Sequence, residues 1–447
     1  MNSERVFKAY DIRGRTDNGD LTPELVRRVG VGFARIAASD KIAVGRDCRV
    51  SSPALARALT EGITSMGVDV LDLGEVATDT VYYVAGVEKV AGAMITASHN
   101  TSEYNGIKLC LAGALPVGAD TGLADIKATV DSGASGGEGG GSVSSYDPIP
   151  GYVDHLFSIV DPANIAALRV AVDGGNGMAG VVLEKVFDRL EAVLIGLYLE
   201  PDGTFPNHPA DPLQPENLRD LVALVEVEQP DLGVAFDGDA DRAFFIDDRG
   251  RPVSGSTTTA LIARWFLARH PGASIVHNLI TSRAVPETIT AHGGRPVRTR
   301  VGHSYIKKVM ADTGSVFGGE HSGHYYFEQN FRADSGMLAM LVLLQVLSES
   351  GVPLSELRKE VELYSASGEI NFEVERPEAV MAAVEAAFGD AEIDRLDGLT
   401  VSWEDRWFNL RASNTEPLIR LNAEAPDAAS VEHLVEKVRS VLAGVSS

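Results

Sequence analysis

Two short apolar runs, Leu232 to Phe236 and Ala243 to Ile246, enclose the hexapeptide Asp237-Gly238-Asp239-Ala240-Asp241-Arg242. Each run predicts a buried strand, so three carboxylates fall in the tight connection between them. Carboxylates at alternate positions, separated by small residues, can close around one hard cation. Magnesium takes oxygen ligands and usually leaves positions for phosphate or water. A helix-loop-helix calcium site shares the Asp-x-Asp-x-Asp opening and would reach its twelfth position at Asp248. Arg242, standing where that loop needs glycine, and the flanking strands both argue against it. A solvated acidic turn is the plainer alternative. Arg242 adds a fixed charge that either reaches a transferring phosphoryl oxygen or balances the acids.

Further upstream, Thr96-Ala97-Ser98-His99-Asn100 follows the apolar run Ala91 to Ile95. Ser98 therefore leaves a short buried strand on a loop, where a reacting hydroxyl meets substrate. Serine also caps helices, but Asn100 to Gly106 is a run of turn formers with no apolar stripe to continue one. A nucleophilic serine paired with an acidic metal loop points to phosphoryl transfer.

These residues resemble the α-D-phosphohexomutase family, most of all its bacterial phosphomannomutases, over nearly the whole chain. The Ser98 loop resembles the family's phosphoserine loop, and Asp237, Asp239 and Asp241 match its magnesium ligands, completed by Ser98. Gly319-Glu320-His321-Ser322-Gly323-His324 resembles the sugar-reading loop, and Arg411-Ala412-Ser413-Asn414-Thr415-Glu416-Pro417 the phosphate-binding loop. Thr101 and Ala412 stand where many relatives carry proline; neither position supplies a reacting group, so the departures bear on loop rigidity.

The resemblance implies an α/β protein: three related layered domains, 1–150, 151–252 and 253–364, and a C-terminal α+β domain, 365–447, around a central cleft. It implies a reversible shift of phosphate between C1 and C6 of a hexose, mannose first, with phosphoglucomutase or dual activity as the alternative. Phospho-Ser98 would give its phosphoryl group to the sugar, producing a hexose 1,6-bisphosphate that turns around in the cleft. One Mg2+ per chain and the bisphosphate as activator follow. For the proton the resemblance points to Lys108 and His303, with His99 as the neighbour competing for the role. Tyr10 and Arg13, in Lys8-Ala9-Tyr10-Asp11-Ile12-Arg13-Gly14, resemble the amino-terminal active-site segment, against a plain turn as the alternative.

Read from chemistry alone, Arg411, Ser413, Asn414 and Thr415 offer a guanidinium fork, hydroxyls, an amide and successive backbone N–H groups, suited to a dianionic phosphate. Arg420 adds a second positive charge. The alternative is an ordinary polar hairpin between Trp407 to Leu410 and Leu418 to Leu421. Glu320 and Ser322 suit sugar hydroxyls, since a carboxylate accepts and a hydroxyl does either.

At 447 residues the chain is too long for one core. Its 39 basic and 63 acidic residues give a net charge of -24. That repels nucleic acid and anionic membrane, while a small phosphosugar can still bind where a few cations converge. Cys48 and Cys110 make no disulfide framework, the opening Met1 to Arg5 has no secretory pattern, and the apolar stretch Met337 to Leu347 is too short for a bilayer. The expectation is a cytoplasmic enzyme, with a monomer favoured.

Strands and helices alternate. Ile42 to Val44 is a strand, Ser51-Ser52-Pro53 starts a helix over Ala54 to Met66, and Val68 to Leu73 is the next strand, a β-α-β order that favours layered α/β architecture. Ser132 to Ser145 reads as a Gly/Ser-rich loop. A strand at Ser274 to His277 and a helix over Gly336 to Glu349, capped by Asp334 or Ser335, belong to the third domain. From Gly368 the pattern predicts two strands, a helix, two strands and a final helix. Gly175-Asn176-Gly177-Met178-Ala179-Gly180 satisfies the dinucleotide pattern after the strand Val170 to Asp173, so an oxidoreductase is a competing reading. Glu200 lies in a turn rather than ending a second strand, and a tight strand-to-helix turn explains the glycines more simply. A non-catalytic sugar-phosphate sensor would keep the binding loops without needing Ser98.

Overall fold

The computed structural model describes residues 3–137, 139–374, 376–412 and 418–445. Within them, three sheets repeat one plan. In the first, Lys41–Arg46 pairs in parallel with Asp69–Glu75 on one side and Ala91–Ile95 on the other, and Tyr104–Leu111 returns antiparallel beside Ala91–Ile95. The second repeats it with Arg169–Asp173, Val193–Leu197, Leu232–Phe236 and Ala243–Ile246. The third does so with Ser274–Asn278, Arg295–Thr299, Phe317–Gly319 and Tyr325–Phe327. Each has the spatial order second, first, third, fourth, with the fourth strand reversed.

That reversal places the chemistry. The third strand of each sheet turns straight back into the fourth at the carboxyl end of the parallel strands, where α/β sheets bind their ligands. Those three connections carry Ser98, the run Asp237 to Asp241, and the turn Glu320 to His324. A fourth sheet is antiparallel throughout, in the spatial order Ser365–Glu373, Leu418–Ala425, Trp407–Ala412, Leu399–Ser402, Glu392–Asp394. Its hairpin after Ala412 runs into residues 413–417, so the expected phosphate-loop residues Ser413, Asn414 and Thr415 lie outside the described residues.

Two local expectations are corrected. The last unit reads as one strand, the helix Pro377–Ala387, four strands and the helix Ala428–Val445. A bulge between Ala366 and Glu369 makes the opening stretch one strand, and the three- and four-residue strands Glu392–Asp394 and Leu399–Ser402 are too short for alternation to register. At the other end, Arg13 is no plain turn: it lies in the strand Ile12–Arg15, which pairs antiparallel with Tyr104–Leu111.

The glycine run at 175–180 forms the tight turn. A Cβ at Gly177 would lie 2.7 Å from the carbonyl oxygen of Gly238, and one at Gly238 2.5 Å from that of Ser98. The glycines therefore let the acidic loop pack against the serine loop, which accounts for the motif without a dinucleotide.

One continuous apolar core runs through the first three units, and the fourth has its own. At its centre, the helix Gly336–Ser350 is buried on nearly every side, with Ser335 Oγ accepting from Leu338 N as its cap. Among the described residues no single helix is long and apolar enough to cross a membrane. Where the first three units meet, Asp79 Oδ2 accepts from Tyr152 Oη and from Ser335 Oγ at 2.7 Å. Burial pushes the Asp79 carboxyl up to about 7, and the two hydroxyl bonds hold it from rising further. Tyr152→Phe removes a bond that favours the ionised form. The expected loss is about 1–3 kcal/mol of stability, larger at pH 8.5 than at pH 6, where Asp79 is mostly protonated; thermal unfolding at both pH values checks it.

Candidate active site

The three aspartates are almost fully buried. Oxygens from all three lie within 4.8 Å of one another. Charges that close repel, so cations must be supplied from elsewhere. Arg242, directly after the trio, turns back so that its Nε donates to Asp237 Oδ2 at 2.9 Å. Lys108, carried on the strand Tyr104–Leu111, donates through Nζ to Asp239 Oδ2 at 2.6 Å and Asp241 Oδ2 at 2.5 Å. Burial alone would push the Lys108 ammonium down, but Asp239, Asp241 and Asp237 together raise it well above its ordinary value. Asp239 is further fixed by Thr78, whose Oγ1 donates to Oδ2 at 2.5 Å while its N–H donates to the Asp239 carbonyl at 3.0 Å.

Two cations against three carboxylates leave the cluster negative. Asp239 Oδ1 and Asp241 Oδ1 are buried with no hydrogen-bond partner, an arrangement too costly to be the complete site. An all-oxygen donor set with orphaned buried oxygens fits a hard divalent cation.

Ser98 meets this cluster. Its backbone is left-handed, φ +52, a costly conformation for serine. Its N–H is held by Thr96 Oγ1 at 2.9 Å. The side chain, 4% exposed, donates from Oγ to Asp237 Oδ2 at 2.7 Å and accepts from Arg242 Nη2 at 3.2 Å. His99 Nδ1 lies 3.2 Å from the same Oγ and also contacts Arg242 Nη2. Burial, then the Arg242 and Arg13 charges, hold His99 well below the usual imidazole range. Arg13 Nη1 donates to Asn100 Oδ1 of the serine loop at 2.6 Å.

The other expected residues line up around these. His303 opens the helix His303–Thr313, and its Nδ1 is buried without a partner. Burial pushes it down to about 4. Tyr10 packs beside His303: its ring sits edge-on to His303 at 5.5 Å and to Tyr305 at 5.9 Å, with Oη 3.4 Å from the Val301 carbonyl. Glu320, expected to bind sugar hydroxyls, already accepts from Tyr326 Oη at 2.7 Å, Asn278 Nδ2 at 3.1 Å and Gly302 N at 3.3 Å. That occupies most of the carboxylate's acceptor positions. Ser322 is half-buried in the same turn. Arg411 and Arg420 are cross-strand partners, and Glu369 lies 3.9 Å from one and 3.4 Å from the other.

Family models agree with this assembly. The phosphoglucomutase/phosphomannomutase alpha/beta/alpha domains I, II and III match residues 4–136, 150–250 and 254–364, and the C-terminal domain of the same family matches 369–441. The chain belongs to the phosphoglucomutase/phosphomannomutase family. It is therefore a phosphohexomutase, an isomerase. It is 39% identical to the phosphomannomutase of Salmonella montevideo, covering 95% of this chain and 96% of that one. The phosphomannomutase/phosphoglucomutase of Pseudomonas aeruginosa is 36% identical, covering 99% and 96%. A solved phosphoglucomutase/phosphomannomutase family protein from Burkholderia thailandensis superposes with a TM-score of 0.91 at 30% identity, over 100% of this chain and 98% of that one.

Sequence reading missed part of this phosphohexomutase site. Thr78, Asn278, Tyr326 and Arg49 hold reactive-looking groups through bonds that no local pattern announces. His324 and Lys307 belong here too: His324 Nδ1 lies 2.9 Å from Asp334 Oδ2 and 3.9 Å from Asp241 Oδ1, while Lys307 pairs with Asp334 Oδ1 at 2.9 Å. His324 closes the motif of the sugar-reading loop, whereas for Lys307 the only signal was its i, i+4 spacing from His303 on one helix. Thr78→Val keeps the shape and removes the hydroxyl bond to Asp239. Divalent-cation affinity, by calorimetry with Mg2+, is expected to weaken about tenfold, with a stability loss of about 1–3 kcal/mol in thermal unfolding.

Proposed function

We propose that the chain is a phosphomannomutase that interconverts mannose 1-phosphate and mannose 6-phosphate through phospho-Ser98. The observation that carries this reading is the 2.7 Å bond from Ser98 Oγ to Asp237, beside Asp239 and Asp241, each with one buried oxygen that has no hydrogen-bond partner. Asp237, Asp239 and Asp241, with a phosphoserine oxygen, would hold Mg2+, which supplies positive charge to the transferring phosphoryl group and the departing serine oxygen.

In the forward half the P–O bond to Ser98 breaks as a bond forms from phosphorus to the free sugar hydroxyl. Arg242, 3.2 Å from Ser98 Oγ, stabilises the charge developing on that oxygen. The hydroxyl proton needs an acceptor that is neutral at working pH. His303 meets that requirement, its buried Nδ1 held down to about 4. Lys108, released from Asp239 and Asp241 as the ion takes its place there, would serve as the matching donor. The resulting hexose 1,6-bisphosphate turns around, and its other phosphate returns to Ser98, so the same bisphosphate primes unphosphorylated enzyme. Arg411 and Arg420, with residues 413–415, would hold whichever phosphate is not in transfer.

Mannose is favoured because relatives such as the Salmonella montevideo protein carry that name, and glucose stands next because the Pseudomonas aeruginosa relative is named for both sugars. The two sugars differ at C2 only. Steady-state rates with each 1-phosphate, primed by a trace of bisphosphate, should show mannose ahead by about tenfold, the scale one hydroxyl provides. Equal or reversed rates would assign the dual or glucose reading.

Ser98→Ala should abolish isomerisation and label incorporation from 32P-bisphosphate; retained turnover would end the phosphoserine reading. His303→Ala should lower kcat by at least about 100-fold. Because His303 in the free protein is protonated only as pH falls through about 4, kcat/KM should show no His303-dependent acid limb near the ordinary imidazole value. A His303-dependent limb at about pH 6.5 would contradict its role.

A further inference from the structure

Arg49 is wholly buried, 0% exposed, and every N–H of its guanidinium is used. Nη2 donates to the carbonyls of Ser98 at 2.8 Å and Asn100 at 2.7 Å; Nη1 donates to those of Thr101 at 2.7 Å and Tyr104 at 3.1 Å; Nε donates to Asp47 Oδ2 at 3.0 Å. Five donors in a rigid fork meet five acceptors. Four of them are carbonyls of the loop that carries the nucleophile, from its reacting serine to its return into Tyr104–Leu111.

The fork is itself anchored. Asp47 Oδ1 accepts from the Arg49 N–H at 3.0 Å and from Ser52 Oγ, and Ser52 Oγ in turn accepts from Asn105 Nδ2 at 2.9 Å. The loop is thus tied at both ends to the start of the helix Ser52–Thr64. On the open side the Phe205 ring covers the guanidinium at 4.9 Å. Beside it, Gly203 packs so closely that a Cβ there would lie 2.4 Å from the Arg49 Cα. Phe205 and Gly203 belong to the same unit as Asp237, so one buried cation joins the phosphoryl-carrier loop to the unit that binds the metal.

We infer that Arg49 is a positioning residue for phosphoryl transfer: by drawing four loop carbonyls inward it holds Ser98 in its left-handed conformation with Oγ on Asp237. A loop whose carbonyls converge on one cation cannot relax toward the extended conformation serine prefers without breaking bonds that no water can replace. Lysine would keep the charge but lacks the planar fork and two of the five donors, leaving buried carbonyls unpaired. Misplacing a reacting atom by about 1 Å costs about 100-fold in rate, whereas among the described residues the guanidinium of Arg49 makes no hydrogen bond to the turn Glu320 to His324.

This inference rests on Ser98 as the phosphoryl carrier, so its test reads the loop as well as the rate. Arg49→Lys and Phe205→Leu are assayed at 20 °C with the folded fraction measured, alongside hydrogen exchange of the full-length protein. For Arg49→Lys the expected result is kcat lower by about 100-fold with KM for mannose 1-phosphate within threefold. Amide exchange should accelerate in residues 97–105 and not in the helix Ser52–Thr64. Adding guanidinium at millimolar concentration to Arg49→Ala should recover part of kcat. Phe205→Leu should lower kcat about threefold to tenfold and speed exchange in the same segment; it keeps the test alive should the Arg49 variants not fold. A kcat within threefold of the parent in Arg49→Lys, or in folded Phe205→Leu no change in rate or loop exchange, overturns the inference. Active Ser98→Ala with accelerated loop exchange in Arg49→Lys would instead sink the phosphoserine reading and leave Arg49 as the loop's organiser.

Discussion

Three buried carboxylates within one hairpin set the terms for the rest of the molecule. No single unit of the chain neutralises them. Arg242 comes from the same hairpin, Lys108 and the Thr78 hydroxyl come from the first unit, and His324 approaches from the third. Desolvating charges is expensive unless they are paired and hydrogen-bonded, so the units have to meet where these groups meet. The continuous core through the first three units and the Asp79–Tyr152–Ser335 junction keep them there. What remains without a hydrogen bond, one oxygen each on Asp239 and Asp241, marks the place for a divalent ion.

The repeated topology explains how three distant stretches of sequence come to lie together. A strand that reverses after a parallel neighbour must make a short connection at the carboxyl edge. The same reversal occurs three times, with serine, aspartates and the glutamate turn in equivalent places. The chemistry differs while the scaffold does not. Backbone economy follows: Gly238 lies against the Ser98 carbonyl and Gly177 against Gly238, so the connections can touch without side chains between them. The fourth unit has a separate core and joins the third through polar contacts, such as Arg283 N to Glu424 Oε1 and Val301 N to Asp397 Oδ2, and through a small buried apolar cluster of Leu279, Ile280 and Trp407.

Much of this was legible before any coordinates. Alternating apolar runs and turn residues located the strands flanking Ser98 and the aspartates, because a buried strand next to a polar loop is a local signal. Ser98, Asp237, Asp239, Asp241, Arg242 and Lys108 do come together. The dinucleotide pattern at Gly175 to Gly180 was legible too, but only packing could show that its glycines let the acidic loop approach. Arg49 and Thr78 escaped because their partners are carbonyls and carboxylates far along the chain, and neither residue type is distinctive alone. Tyr10 stands against His303, a neighbour no local pattern announces, since the bonds of Ile12–Arg15 to Tyr104–Leu111 fix where that segment leaves the sheet. Short strands and a bulge hid the order of the last unit.

The dependence of the whole site on a divalent ion is measured most directly by anomalous diffraction from crystals soaked in Mn2+, a hard cation that shares magnesium's preference for oxygen ligands. A single strong peak about 2.1–2.2 Å from oxygens of Asp237, Asp239 and Asp241, with the Lys108 ammonium displaced from Asp239 and Asp241, is the predicted result. Full manganese occupancy elsewhere, or none, with Lys108 still bridging those two carboxylates, would contradict it.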